Sequence, residues 1–156
     1  GANQAMRLFL DTEFTDLRVP ELISLGIVSE ATDEFYVELG FNHAACSPFV
    51  VTTVLPLLAN KPRTRENVAD DLRGWLARFE RPVVVYDSPI DWAMFLWLFA
   101  DVQVPADGLL LEYDQWGWQR FEKNIDAHFE NHRTARRHHA LHDAKALRKA
   151  WMLMQP

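Results

Sequence analysis

Three separated stretches of the chain carry side chains whose types and spacing suit metal binding and proton transfer. The first is Asp11-Thr12-Glu13-Phe14. In an extended chain alternate side chains share one side, so Asp11 and Glu13 set two carboxylates next to each other. Like charges held that close repel and raise a pKa unless a cation lies between them. Hard oxygen ligands of this kind suit Mg²⁺ or Mn²⁺. The plainer reading is the solvated end of a strand. The second stretch is Tyr86-Asp87-Ser88-Pro89-Ile90-Asp91-Trp92, where Asp87 and Asp91 are further candidate ligands. Here Ser88 with Asp91 three residues on also has the spacing of a helix capping box, and Asp87 is a common turn former. The third is His138-His139-Ala140-Leu141-His142-Asp143-Ala144. It joins a carboxylate, Asp143, to His138, and a histidine with its ordinary pKa of about 6.5 accepts a proton near neutral pH. His139 and His142 read as surface residues of a basic stretch.

Strands and helices must bring these stretches together. Met6 to Asp11 reads as a buried strand ending in a carboxylate, and Glu21 to Glu30 as a second strand rich in Ile, Leu and Val. Glu34 to Leu39 alternates as a third, joined through Ala31, Thr32 and Asp33, so the three make an antiparallel meander. Ser47 and Pro48 open a short helix towards Leu58, interrupted near Pro56. Thr64 caps an amphipathic helix with Val68, Leu72, Trp75, Leu76 and Phe79 at helical spacing, ended before Pro82. Val83 to Tyr86 is a continuous apolar run, as in a central strand covered on both faces. Ser88 and Pro89 start a helix through Ala100, Gly108 to Tyr113 is a further strand, and Gln115 to about Glu130 another helix. Ala140 to Met154 forms the last helix, with Leu141, Ala144, Leu147 and Trp151 on one face. The order is mixed α/β. In it Asp87 and Asp91 follow a central strand, where open α/β sheets gather ligands. His138 lies on the loop before the last helix, and Asp143 in that helix's first turn.

With 156 residues, 49% apolar and 24% charged, and only 6 Gly and 8 Pro, the chain has the composition of one globular domain over residues 6 to 156. Disordered, collagen-like and coiled-coil classes are excluded. Gly1 to Ala5 precede Met6 and read as a cloning remnant, without the pattern of a signal peptide. One cysteine, Cys46, forms neither an internal disulfide nor a thiolate zinc cluster and points to a reducing compartment, the cytoplasm. The longest apolar run, Trp92 to Ala100, falls well short of the roughly 20 residues of a membrane helix, so no membrane partner is expected. The formal charge is −6, yet residues 133 to 156 hold 6 Lys and Arg against 1 acid while residues 1 to 132 hold 10 against 21. That basic end can meet phosphates. Lys145, Arg148 and Lys149 also fit the solvated face of a helix.

In order along the chain, Asp-x-Glu closing the first strand, an Asp in the first turn after a central strand, and His-x-Ala-x-x-Asp near the end resemble the DEDD superfamily of 3′-to-5′ exonucleases, subgroup DEDDh. Asp11 and Glu13 match the first motif, Asp91 the second, and His138 with Asp143 the third. The resemblance runs from about Met6 to Trp151 and is closest to small single-domain bacterial and phage exoribonucleases. It departs at the second motif, where members commonly show His-Asn-Ala-x-Phe-Asp and this chain places Asp87 at the usual Asn position.

The resemblance implies a ribonuclease H-like fold, a mixed sheet with an N-terminal antiparallel three-stranded meander flanked by helices. It implies a metal-dependent 3′-to-5′ exoribonuclease of RNA processing that releases 5′-mononucleotides from single-stranded RNA. Two Mg²⁺ or Mn²⁺ about 4 Å apart would be held by Asp11, Glu13, Asp91 and Asp143, with His138 as general base. Phe14, then Trp92, are candidates to stack on the terminal base, worth roughly 1 to 3 kcal/mol. Thr12 is a further candidate substrate contact. Arg136 and Arg137, with Arg133 and Lys145, are candidates for backbone phosphates. The remaining tryptophans, Trp75, Trp97 and Trp151 among them, read as core. Superfamily members often pair as homodimers, so a second copy of the chain is a candidate partner. Three other readings stay open. One is a DNA 3′ exonuclease of the same fold, since the 2′-hydroxyl contact that separates RNA from DNA has no sequence signal. Another is a nucleic-acid-binding module without turnover. The third is a zinc protein using His128 with His132, or His138 with His142, each pair four apart.

Overall fold

Alternation along the first strand decides the layering of the computed structural model, which describes residues 4–100 and 102–156. β1 (Met6–Phe14) sends Leu8, Leu10 and Thr12 to one face of a sheet and Phe9, Asp11 and Glu13 to the other. With it run β2 (Leu22–Ser29), β3 (Glu34–Leu39), β4 (Pro62–Arg63), β5 (Pro82–Tyr86) and β6 (Asp107–Leu110), in the order β4-β3-β2-β1-β5-β6. β2 is antiparallel to β1 and to β3, whereas β4, β5 and β6 add parallel to their neighbours. The expected meander is therefore present. Its β2–β3 turn is tied by Ser29 Oγ donating to Asp33 at 2.8 Å.

Helices cover both faces, which is why β2 is buried along its whole length. α2 (Arg65–Leu76) and α3 (Pro89–Phe99) pack Val68, Leu72, Phe95 and Phe99 on Leu8, Leu10 and Val84. α4 (Gln115–Asn131) and α5 (Ala140–Met154) pack Phe121, Ala144 and Leu147 on Phe9, Val28 and Val85. α1 (Pro48–Thr53) sets Val50 against Ile23. The architecture is α/β, among the described residues a mixed six-stranded sheet with five α-helices.

Several boundaries differ from the sequence reading. β1 continues past Asp11 to Phe14 because β2 keeps pairing with it, Asp11 facing Gly26 and Glu13 facing Ser24. α1 ends at Thr53, and Pro56 sits in a separate 3₁₀ turn over Leu55–Leu57, since a proline offers no N–H to continue the helix. β6 stops at Leu110, short of Tyr113, and β4 is too short to leave a pattern. Trp75 and Trp151 pack as expected, the latter 5.4 Å from Phe9. Trp97 does not: it is 43% exposed under the Arg65 guanidinium, 4.3 Å from its carbon. α3 is apolar nearly all round, so its sequence does not say which face turns inward. Trp116 is likewise exposed. Among the described residues no helix is long and apolar enough to cross a membrane. Of Gly1 to Ala5, read as a cloning remnant, only Gln4 and Ala5 fall within the described residues.

Candidate functional site

β1 pairs with β5 only from Met6 to Phe9, so beyond Phe9 that edge of β1 is open. The start of α3 occupies it. Asp91, in the first turn of α3 and 3% exposed, accepts through Oδ1 from the Thr12 N–H at 3.2 Å and from the Thr12 hydroxyl at 2.6 Å. Ser88 is the N-cap but makes no side-chain capping bond. The Asp91 carboxylate thus serves the strand end, and the capping-box alternative falls away.

From the other face of the sheet comes α5, and Gly26 lets it close in. A Cβ at Gly26 would lie 2.5 Å from the backbone Cα and N of Leu141, a separation no side chain tolerates. Because Gly26 lies opposite Asp11, this approach carries the first turn of α5, with Asp143, to the acids of β1. His138 donates its N–H to Asp143 Oδ2 at 3.0 Å. Its backbone is left-handed, φ 70°, a region uncommon for residues other than glycine. Its ring meets that of Phe49 edge-on, centroids 5.0 Å apart.

Two groups of potential ligand atoms result. Oxygens of Asp11, Asp87 and Asp91 lie within 4.8 Å of one another, as do oxygens of Glu13 and Asp143 with a ring nitrogen of His138. Hydrogen bonds in which the Glu13 and Asp11 carboxyls donate and Asp143 accepts join the groups, and they need a proton on the donating carboxyl. Burial, then the charges of Asp143 and Asp91, pushes Glu13 up to about 9. Asp91 is raised to about 7, burial first, with Asp87 and Asp143 adding to it against the lowering bonds from Thr12. Asp11 is raised well above the usual carboxylate range by burial and by Asp91, Asp143, Glu13 and Asp87. Asp143 and Asp87 are raised too, both by burial first, although Asp87 keeps solvent contact. Among the described residues Asp11 Oδ2 is buried without a hydrogen-bond partner. Mutually repelling carboxyls around an oxygen that lacks a donor fit a divalent cation, whose charge offsets both penalties.

Two clefts flank the acids. One, of about 430 Å³, is lined by Asp11, Asp87, Phe129, Arg137, His138 and Asp143 among others. The other, of about 460 Å³, runs past Glu13 over Phe14, Leu17 and Phe49. Leu17 and Phe49 are 77% and 55% exposed, apolar surface held beside charged groups.

Asp11, Glu13, Asp91, Asp143 and His138 therefore come together, and Asp87 joins them. Of the other sequence candidates, Phe14 lines the apolar cleft and Arg137 the acidic one, its guanidinium paired with Asp126 at 2.6 Å. Arg136 is exposed and donates to the carbonyls of Arg133 and Ala135. Lys145 pairs with Glu34 at 2.7 Å. Thr12 and Trp92 are held for other uses. Thr12 is buried with its hydroxyl on Asp91, and Trp92 is stacked between Tyr86 and Phe95, at 5.4 and 5.1 Å, and against Gly108. Leu17 and Phe49 escaped the sequence reading, because a single apolar residue in a loop or a short helix carries no periodicity. His128 and His132 stack on each other, while His138 and His142 face different clefts, so neither pair shares a three-ligand group among the described residues. No protein-family model and no curated protein matches this chain.

Proposed function

We propose that this protein is a metal-dependent 3′-to-5′ exonuclease of single-stranded RNA, on the ribonuclease H-like plan that its motifs resemble. The observation that carries the reading is the convergence of Asp11, Glu13, Asp91 and Asp143 from three stretches of chain, with a buried Asp11 oxygen that has no donor. The antiparallel meander, the parallel strands β5 and β6 and the helices on both faces support the fold half of it.

Asp11, Glu13, Asp91 and Asp143 would hold Mg²⁺ or Mn²⁺, with Asp87 as a further oxygen donor beside Asp91. Such cations, when bound, acidify an attacking water and offset charge on a departing 3′-oxygen. The chain's own groups do the rest. His138 takes the water's proton at a ring nitrogen, its main chain held by Asp143. Thr12 is a positioning residue: its N–H and hydroxyl fix one Asp91 oxygen and leave the other for ligation. Phe14, Leu17 and Phe49 receive the unpaired terminal base, since stacking grips any base without reading sequence. The Phe49–His138 ring contact sets that base next to the proton acceptor. Arg137, at the acidic cleft, offers a phosphate the charge it now shares with Asp126.

The test is digestion of 5′-labelled single-stranded RNA with Mg²⁺ or Mn²⁺, with and without chelator, beside DNA of the same sequence. Stepwise shortening from the 3′ end that stops in chelator is expected. RNA left intact under both cations overturns the reading, and faster loss of DNA reassigns the substrate.

A further inference from the structure

The exonuclease reading leaves unused a third cleft, between the β2–β3 turn and residues of α4 and α5. It measures about 390 Å³ and is lined by His128, His132, His142, Lys145, Arg148 and Lys149, with Glu34 the one acid of the lining among the described residues. Part of this charge is committed, Lys145 to Glu34 and Arg148 to the carbonyls of Ser29 and Glu30. The remainder is not. Lys149 forms no ion pair among the described residues, and the buried Nδ1 of His128 has no hydrogen-bond partner. His142 Nδ1 accepts the Arg136 N–H at 2.8 Å, so that nitrogen carries no proton and Nε2 is left as a donor. Burial first, then the nearby His132, Lys145, Lys149 and His142, keeps His128 below its ordinary pKa. An anion in the cleft offsets the charge of Lys149 and its neighbours.

The two clefts adjoin. The segment between α4 and α5 borders both, Thr134 and Ala135 lining the basic one, Arg137 and His138 the acidic one. Arg136 stands between them, exposed and anchored by its N–H on His142. On a chain of net charge −6, a strand needs such a local basic surface to stay bound beside a cluster of acids. We infer that the basic cleft binds backbone phosphates of a single strand whose 3′ end lies in the acidic cleft, the strand crossing at Arg133–Arg137. This rests on the exonuclease reading and extends it: the preferred substrate is longer than the acidic cleft alone can hold.

The experiment is fluorescence anisotropy in chelator, so that nothing is cut, with a labelled dinucleotide and with a labelled strand of about 12 nucleotides, within the roughly 4 to 16 that one single-strand site spans. The long strand binds more tightly to the parent. Lys149→Ala weakens it several-fold and lowers the slope of log affinity against log salt by about 0.7, the loss of one phosphate contact on a single strand. Lys123→Ala, exposed on α4 and in neither cleft, does neither. Long-strand affinity and slope unchanged by Lys149→Ala overturn the inference. So does a loss confined to strands bearing a 5′-phosphate, which makes the cleft a terminal-phosphate site. Digestion by the parent with Mn²⁺, run in parallel, keeps the two readings apart. A parent that cuts RNA while Lys149→Ala binds like it loses this cleft alone. A parent that binds through Lys149 and cuts nothing loses the exonuclease.

Discussion

Asp11 faces four other carboxyls and, among the described residues, keeps one oxygen buried without a donor, so its ionised form is disfavoured. Asp11→Ala and Asp143→Ala are expected to abolish RNA digestion, read on 5′-labelled substrate. His138→Ala should lower turnover by roughly 10²- to 10⁴-fold, the usual worth of general-base catalysis, with Mn²⁺ affinity by calorimetry close to the parent's. Since its ring nitrogen lies within 4.8 Å of Glu13 and Asp143 oxygens, a collapse of Mn²⁺ affinity would make it a ligand instead. Thr12→Val keeps shape and removes the 2.6 Å bond to Asp91. Leaving that buried oxygen short of a donor costs about 1 to 3 kcal/mol of stability, and Mn²⁺ affinity should fall with it. Phe49→Ala should raise KM about tenfold, given about 1 to 3 kcal/mol for a stacked base, with kcat much less affected. At this scale Asp11, Glu13, Asp91, His138 and Asp143 were legible because their order and spacing form a pattern. Asp87 was ambiguous, since a turn former and a ligand look alike in one dimension. Phe49 was invisible, because its value lies in facing His138 from a distant part of the chain.

Among the elements, the contact between β2 and α5 does most to assemble the site. Gly26 stands in the middle of a strand otherwise rich in Leu, Ile and Val, and a strand glycine signals a bulge or a close backbone approach. Which backbone approaches is not written there; it is the Ala140–Leu141 turn of α5. Gly26→Ala therefore forces β2 and α5 apart. A loss of about 1 to 3 kcal/mol is expected from overpacking, read as a lower midpoint in thermal unfolding, and digestion should fall further than stability because Asp143 and His138 move with α5. A variant as stable and as active as the parent would show that α5 can sit elsewhere. The other decisive junction is the open edge of β1 beyond Phe9. The reading that ended the strand at Asp11 missed it, because strand pairing, and not local propensity, sets how far β1 extends.

In the whole molecule the buried acids tie stability to pH. Free in an unfolded chain, Glu13 ionises near 4.5 and Asp91 near 3.8, whereas folded they hold their protons to about 9 and about 7. Between those limits the unfolded chain binds fewer protons, so in chelator stability falls as pH rises from about 4 to about 9. On the proposed reading, Mg²⁺ would bind the ionised carboxylates of the fold and oppose that fall. The gap in unfolding midpoint between Mg²⁺ and chelator should widen from pH 5 to pH 9, and a gap that stays constant would contradict the cation site. By itself the sequence determined the α/β class, the meander, most element limits and the acids able to act together, because these follow from periodicity, capping and short spacing along one chain. Only the tertiary structure decided that Asp87 joins Asp11 and Asp91, that Thr12 and Trp92 face protein, that Trp97 faces solvent and that a basic cleft adjoins the acidic one. These depend on which surfaces meet when separate elements pack together, Thr12 and Asp91 being 79 positions apart, and such packing leaves no periodic trace in the chain.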